Sequence, residues 1–132
     1  MTTNYFLNMI MGNVFNTKKT PTLPTTYYIG MSSTLPTASG TNVTEPAGGG
    51  YARILASGLS EPANGVITNG TVISFPESTN SWGVMKYFVI YDALTGGNLL
   101  MAGSLSKDRT IESETVASFK AGAITLSLTG EA

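Results

Sequence analysis

The strongest constraint on the fold is a change of pattern after Lys18, where prolines and short β-prone runs replace a helical pattern. Pro21 and Pro24 lack a backbone donor and restrict the residue before them, so no helix continues through residues 20–25. The remaining chain predicts strands at residues 26–32, 51–57, 66–68, 71–75, 84–91, 99–105, 115–119 and 124–128. About seven or eight short strands are typical of an antiparallel β-sandwich, jelly-roll-like, or of a small barrel. The predicted fold class is therefore mainly β, in one domain spanning residues 1–132 with its β part at 26–129.

Two of these strands indicate how they are buried. Residues 84–91 are nearly all apolar or aromatic, which predicts a strand buried on both faces. Residues 124–128 alternate between apolar and polar side chains, which predicts one inner and one outer face.

A short N-terminal helix is predicted at residues 3–16. Thr2 or Thr3 is expected to cap it, because a side-chain oxygen can accept from a free N–H of the first turn. Two adjoining apolar rows run along it, formed by Phe6, Ile10 and Val14 and by Leu7, Met11 and Phe15. The helix has no charged residue. Two interpretations are open: it covers one end of a sheet, or it packs against another subunit or a neighbouring protein.

The composition excludes most catalytic chemistry. The chain has no cysteine and no histidine, so disulfides, thiolate nucleophiles, imidazole bases and Cys/His zinc sites are impossible. No pair of carboxylates has a spacing that predicts acid–base catalysis. With 11% charged residues and a net charge of −1, no basic surface for nucleic acid is expected. No apolar run approaches the roughly 20 residues that span a bilayer. We expect no enzyme activity, cofactor, metal, nucleic acid or membrane insertion.

The loops carry further predictions. Residues 36–50 form a long connection that ends in three glycines, and a loop of this length is usually functional or part of an interface. The pairs Asn64-Gly65 and Asn69-Gly70 predict type I′ turns, in which both central residues have positive φ. In the loop at residues 92–98, Asp92 is expected to accept hydrogen bonds from backbone N–H groups. Arg53, on a half-buried strand, is expected to pair with a carboxylate such as Glu77 or Asp92.

Trp82 differs from the other aromatic residues because it lies in a polar segment, residues 78–83, before the most apolar predicted strand. An exposed tryptophan beside Asn80 could stack on a sugar, and Asn98 is a further candidate for glycan contact. The other interpretation is that Trp82 closes the edge of the sandwich.

Three motifs in register suggest a family. They are Gly-Gly-Gly-Tyr-Ala-Arg at residues 48–53, Ser-Phe-Pro-Glu-Ser at 74–78 followed by Ser-Trp-Gly at 81–83, and Ile-Tyr-Asp-Ala-Leu-Thr-Gly-Gly-Asn-Leu-Leu at 90–100. The chain resembles, over essentially its whole length, small tailed-bacteriophage virion proteins commonly labelled tail-fibre or minor structural proteins. Relatives often follow Trp-Gly with a Thr-Val-Thr-His-Phe type strand, whereas this chain has Val-Met-Lys-Tyr-Phe at 84–88.

The resemblance implies a non-enzymatic structural protein of the virion, placed in the tail, fibre or baseplate or as a decoration on the capsid surface. Its expected partners are other copies of itself and neighbouring virion proteins. Together with the uncharged helix and the long loop, it suggests an assembly interface at Phe6, Ile10, Met11, Val14, Val43 and Tyr51. The alternative function is a carbohydrate-binding module that attaches the virion to a host-surface glycan.

Overall fold

A computed structural model describes residues 1–18 and 22–128 of the chain. Its elements are helix α1 (Asn4–Phe15) and strands β1 (Tyr28–Ser32), β2 (Ile54–Leu55), β3 (Val66–Thr68), β4 (Ile73–Ser74), β5 (Gly83–Tyr91), β6 (Leu99–Ile111), β7 (Ser118–Phe119) and β8 (Thr125–Ser127). The prediction of a mainly β chain with one N-terminal helix is confirmed. The predicted breaker Pro21 and the predicted end of the β region at residue 129 lie outside the described residues.

The largest sheet has four strands in the order β2-β1-β5-β6, all antiparallel. Its centre is the ladder between β1 and β5, in which Ile29 lies opposite Ile90 and Met31 lies opposite Phe88. The second half of β5 is buried on both faces, as its sequence predicts. The first half is not, because Gly83 and Val84 lie beyond the end of β1 and are exposed.

Two small antiparallel sheets, β3-β8 and β4-β7, accompany the four-stranded sheet. Apolar side chains from all three sheets meet in one core: it contains Ile29 and Ile90 of the large sheet, Ile73 of β4, and Ile124 just before β8. The opposite face of the large sheet carries a smaller cluster around Val89 and Tyr91. Open sheets facing one core are the arrangement of a sandwich, and within the described residues no sheet closes into a barrel.

Strand β6 is longer than predicted, since it continues from Leu105 to Ile111 through a polar stretch. The sequence gives no hydrophobic signal there, but backbone pairing with the start of β5 needs none. Gly83 pairs with Ile111 and Met85 with Arg109. The next pairing joins Tyr87 to Ser104, so the register shifts between Met85 and Tyr87. The residues of β6 between Ser104 and Arg109 form an irregular and mostly exposed section of the ladder. The strands predicted at 51–57, 71–75 and 115–119 shrink to two residues each, because only those residues pair.

The helix begins as predicted. Thr3 is the N-cap: its hydroxyl oxygen accepts from the N–H of Phe6, and the hydroxyl also donates to the carbonyl oxygen of Leu99 at 2.8 Å. The chain before it runs beside β6, where Thr2 forms a bridge with Met101. This N-terminal segment therefore fastens α1 to the outer edge of the large sheet.

One of the two predicted tight turns is confirmed and one is wrong. Asn64 and Gly65 have φ values of 54° and 75°, as a type I′ turn requires. Neither Asn69 nor Gly70 has positive φ. Asn69 is instead fully buried, and its side chain accepts from the N–H of Ile124 and donates to carbonyl oxygens of Thr71 and Lys120. This amide ties the β3-β4 connection to the β7-β8 connection, a role that depends on tertiary contacts.

Candidate functional site

Arg53 stands at the centre of a buried polar group, called here the Arg53 cluster (Glu45, Tyr51, Arg53, Tyr91). Only 8% of Arg53 is exposed. Its Nε and Nη2 atoms donate to the two carboxylate oxygens of Glu45 at 3.0 and 2.7 Å, and Nη1 donates to the carbonyl oxygens of Ala93 and Gly96, both at 2.8 Å. Such two-point contact is the strongest form of the arginine–carboxylate pair.

The predicted partners of Arg53, Glu77 and Asp92, are wrong. Glu45 lies in the long loop before the strand, and the loop folds back so that its carboxylate reaches the guanidinium. The carboxylate of Asp92 is occupied elsewhere: it accepts from the backbone N–H and the side-chain amide of Asn98, at 2.7 and 3.0 Å. The prediction that Asp92 accepts backbone hydrogen bonds is thereby confirmed.

Two tyrosines complete the Arg53 cluster. The ring of Tyr91 lies under the guanidinium, 3.6 Å from its Cζ atom. The hydroxyl of Tyr51 donates to Glu45 and accepts from the N–H of Met31. Gly30 makes this possible, because a Cβ atom there would lie 2.5 Å from the Tyr51 hydroxyl oxygen and 2.9 Å from a Glu45 oxygen.

Burial and the contacts with Glu45 together shift the pKa values of three groups in the Arg53 cluster upward. Burial, and secondly the hydrogen bond to Glu45, raises the pKa of the Tyr51 phenol far above its ordinary value. Burial likewise raises the pKa of Tyr91, and the charge of Glu45 adds to the effect. Burial lowers the pKa of Arg53, but the hydrogen bond and charge of Glu45 outweigh it, so the net shift is upward. The cluster thus holds one ion pair and two neutral phenols at neutral pH.

Trp82 is not the exposed ring on which sugar stacking depends. Its exposed fraction is 6%, and its ring N–H donates to the carbonyl oxygen of Gly49 at 2.8 Å. It meets the ring of Tyr51 edge-on at 5.3 Å between centroids and lies beside Phe75 in the same manner. The structure therefore agrees with the other interpretation of Trp82, as a packing residue at the start of β5.

The two asparagines predicted to contact glycan are both exposed, but the fold separates them. Asn80 lies just before β5 begins, and Asn98 lies after β5 ends. Nine residues of β5 separate them, a strand path of roughly 30 Å. The fold thus does not bring Trp82, Asn80 and Asn98 together. Glycan binding stays a prediction, but the exposed tryptophan on which a sugar would stack is buried.

The three sequence motifs meet around these residues. Arg53, from the first motif, holds the Ala93–Gly96 turn of the third motif; Trp82, from the second, holds Gly49 of the first. Gly49 has a positive φ of 63°, and a Cβ atom on it would approach the Trp82 ring to 3.1 Å. No buried side-chain polar atom lacks a hydrogen-bond partner in the described part of the chain. The motifs therefore fasten loops to the sheet.

Helix α1 presents a second candidate surface. Its inner side buries Met9 and packs Phe6 against the core. The opposite side, called here the outer face of α1, is formed by Leu7, Ile10, Met11, Val14 and Phe15. Met11, Val14 and Phe15 are 57%, 59% and 76% exposed. Asn4 and Asn8 are also exposed, near the start of the helix. Three large apolar side chains this exposed near its end nevertheless form an apolar patch that the described residues do not cover.

Of the six residues predicted for an assembly interface, three lie on the outer face of α1 and three pack inside the chain. Ile10, Met11 and Val14 lie on the outer face of α1. Phe6 and Tyr51 pack against the main core, and Val43 packs against the cluster around Val89. Phe15, the most exposed large side chain of the helix, was not among the predicted interface residues. Its place in the row with Leu7 and Met11 is the sequence signal that could have identified it.

An apolar groove was not predicted at all. It has a volume of about 420 Å³ and lies between the large sheet and the β3-β8 sheet, beside the start of α1. Its walls include Phe6, Ile29, Leu59, Ile67, Leu126 and Leu128. These side chains come from separate segments of the sequence, so no local pattern reveals the groove.

Two further findings concern the described residues. Within residues 1–18 and 22–128, no group of three or more acidic side chains converges as a metal site would require. In the same part of the chain, no helix is both long enough and apolar enough to cross a membrane. Fold and site together define a mainly β structural domain whose motifs secure loops and whose helix leaves an apolar face uncovered.

Comparison with known families agrees with that class. The family model described as podophage GP4 fiber I protein gp80 matches residues 1–127, and the chain belongs to this family. The predicted resemblance is confirmed as membership of a phage fibre protein family. The search of curated proteins returned no match.

Proposed function

We propose that the chain is a non-enzymatic structural protein of a phage fibre and that it assembles in the virion through the outer face of α1. Family membership supports the fibre role. The observation that carries the assembly role is the exposure of Met11, Val14 and Phe15 on a helix without a single charge.

Energetics favour burial of this face. Fully burying a large apolar side chain contributes about 1.5–3 kcal/mol, and no charged group has to be desolvated with it. The low charge of the whole chain adds little repulsion between copies. A chain that exposes such a helix is therefore suited to repeated packing against copies of itself or against a neighbouring virion protein.

The test is incorporation into particles. A phage would carry the chain with Met11→Ser, Val14→Ser and Phe15→Ser together, and the amount of chain in purified virions would be measured by mass spectrometry. Each tenfold change in affinity corresponds to about 1.4 kcal/mol, so we expect a loss of about tenfold or more. The matched control is Val72→Ser, an exposed valine outside α1 that should leave incorporation unchanged. Absence of the unaltered chain from virions would refute the proposal.

A further inference from the structure

The two Asn-Gly pairs of the chain, Asn64-Gly65 and Asn69-Gly70, have the same intrinsic reactivity. In such a pair the backbone nitrogen of the glycine can attack the side-chain carbonyl carbon of the asparagine, because glycine has no side chain to hinder the approach. The product is a cyclic imide. The fold decides whether the reaction occurs, since it requires that the asparagine side chain and the glycine N–H are both free.

Asn64-Gly65 leaves both reacting groups free. The pair forms the tip of a hairpin, where Ala63 and Val66 exchange two backbone hydrogen bonds, both at 3.0 Å. Asn64 and Gly65 are exposed, and a Cβ atom on Gly65 would meet no heavy atom within 4 Å outside the neighbouring residues. Within the described part of the chain, no hydrogen bond occupies the Asn64 side chain or the Gly65 N–H. Solvent therefore reaches both the attacking nitrogen and the attacked carbon.

Asn69-Gly70 is held in the opposite state. Asn69 is fully buried, and its side chain donates to two carbonyl oxygens at 3.0 and 2.7 Å and accepts from the N–H of Ile124 at 2.8 Å. The N–H of Gly70 donates to the carbonyl oxygen of Gly58 at 2.7 Å. Because these bonds fix the leaving group and engage the attacking nitrogen, the reaction at Asn69 requires local opening of the fold.

We propose that Asn64 is a site of spontaneous covalent modification in the folded chain and that the fold protects Asn69. The backbone nitrogen of Gly65 gives its proton to solvent hydroxide and bonds to Cγ of Asn64. The bond from Cγ to Nδ2 breaks, and Nδ2 takes up a proton and leaves as ammonia. One water molecule then opens the imide. Cleavage of the bond from the nitrogen to Cγ gives aspartate, and cleavage of its bond to the backbone carbonyl carbon gives isoaspartate.

The modification alters the hairpin and the adjoining groove. Isoaspartate carries the main chain through Cβ and Cγ, so the link between residues 64 and 65 becomes longer than a type I′ turn accommodates, and the pairing of Ala63 with Val66 weakens. Both products add one negative charge to a chain whose net charge is −1. Gly65 lines the apolar groove, so the new carboxylate lies at the rim of an apolar wall.

Peptide mapping of the purified full chain measures both sites together. The chain is incubated at mildly alkaline pH, below its unfolding temperature, and digested with trypsin. Between Arg53 and Lys86 there is no other lysine or arginine, so Asn64 and Asn69 fall in one tryptic peptide. Fragmentation in the mass spectrometer locates the mass gain that accompanies the exchange of an amide for an acid. An isoaspartate-specific methyltransferase measures the isoaspartate.

We expect Asn64 to convert at least about tenfold faster than Asn69, because several hydrogen bonds have to break before Asn69 can react. Equal rates at the two sites, or an unreactive Asn64, would overturn the inference. The same incubation in denaturant is the control for sequence context, and there we expect the two rates to become similar. An Asn69 that stays equally protected in the unfolded chain would also overturn the inference, since its sequence neighbours would then be the cause.

Asn64→Gly gives an independent measurement. Glycine accepts the positive φ of 54° at this position and has no side chain that can react. We expect the mass gain at residue 64 to disappear in this variant. We also expect incubation to lower the thermal unfolding midpoint of the unaltered chain and to leave that of Asn64→Gly unchanged. An equal decrease in both proteins, or a converted chain that unfolds like the fresh one, would contradict the effect on the hairpin.

Discussion

At the scale of single residues, the contacts of the Arg53 cluster hold two loops against the large sheet. Arg53 is bound to Glu45 and to two carbonyl oxygens of the β5-β6 turn, so all three nitrogen atoms of the guanidinium donate hydrogen bonds inside the chain. The partner of Arg53 could not be predicted from sequence, because Glu45 reaches it only through the path of a long loop. The positions of such loops depend on tertiary packing and not on local propensity.

Gly30→Ala tests how closely the Arg53 cluster is fitted. The added methyl group would overlap the Tyr51 hydroxyl and a Glu45 oxygen, so we expect a loss of about 1–3 kcal/mol in the free energy of unfolding. Denaturant unfolding monitored by tryptophan fluorescence gives the value. Adding Tyr51→Phe, which removes the overlapping oxygen, should restore part of the loss. Strictly additive effects of the two substitutions would show that no such overlap exists.

Stability at alkaline pH tests the burial of Tyr51. Its pKa is raised in the folded chain above the ordinary value of 10.0, so the folded state holds its proton where the unfolded state loses it. The contribution to stability is complete below pH 10.0 and decreases as the pH rises above it. We expect the free energy of unfolding to fall along this range, and to fall less steeply in Tyr51→Phe. Equal slopes for both proteins would contradict the burial of this phenol.

At the scale of elements, the sequence predicts those helices and strands that depend on the local spacing of apolar and turn residues. The capped helix, the β class and the buried second half of β5 follow from apolar spacing and turn residues. The extension of β6 through Lys107 and Arg109 could not be predicted, since pairing with β5 and not hydrophobicity maintains it. The same holds for Asn69, whose side chain bridges two connections across the fold.

Thr3→Ala tests how α1 is attached to the sheet. The substitution removes both the cap on Phe6 and the hydrogen bond to Leu99, so we expect a loss of about 1–2 kcal/mol in the free energy of unfolding. Thr17→Ala, at an exposed position after the helix, is the control and should change stability by less than about 0.5 kcal/mol. Thermal or denaturant unfolding of the unaltered chain and of the two variants measures these free energies. Equal stability of Thr3→Ala and Thr17→Ala would mean that the cap contributes nothing.

At the scale of the whole molecule, the inner and outer sides of the chain have different roles. The three sequence motifs converge on the interior, where Arg53 holds the β5-β6 turn and Trp82 holds Gly49. The apolar surfaces that stay exposed in the described residues include the outer face of α1 and the apolar groove. The first follows in part from the sequence, because Met11 and Val14 were predicted; the groove does not, because its walls come together only in the folded chain.

Analytical ultracentrifugation of the purified chain over a range of concentrations tests the central claim most directly. We expect the unaltered chain to form a discrete oligomer as concentration rises. We expect the Met11→Ser, Val14→Ser and Phe15→Ser variant to remain monomeric, and Val72→Ser to behave like the unaltered chain. An unaltered chain that stays monomeric at all concentrations, or a triple variant that associates as strongly as the original, would contradict assembly of the chain through the outer face of α1.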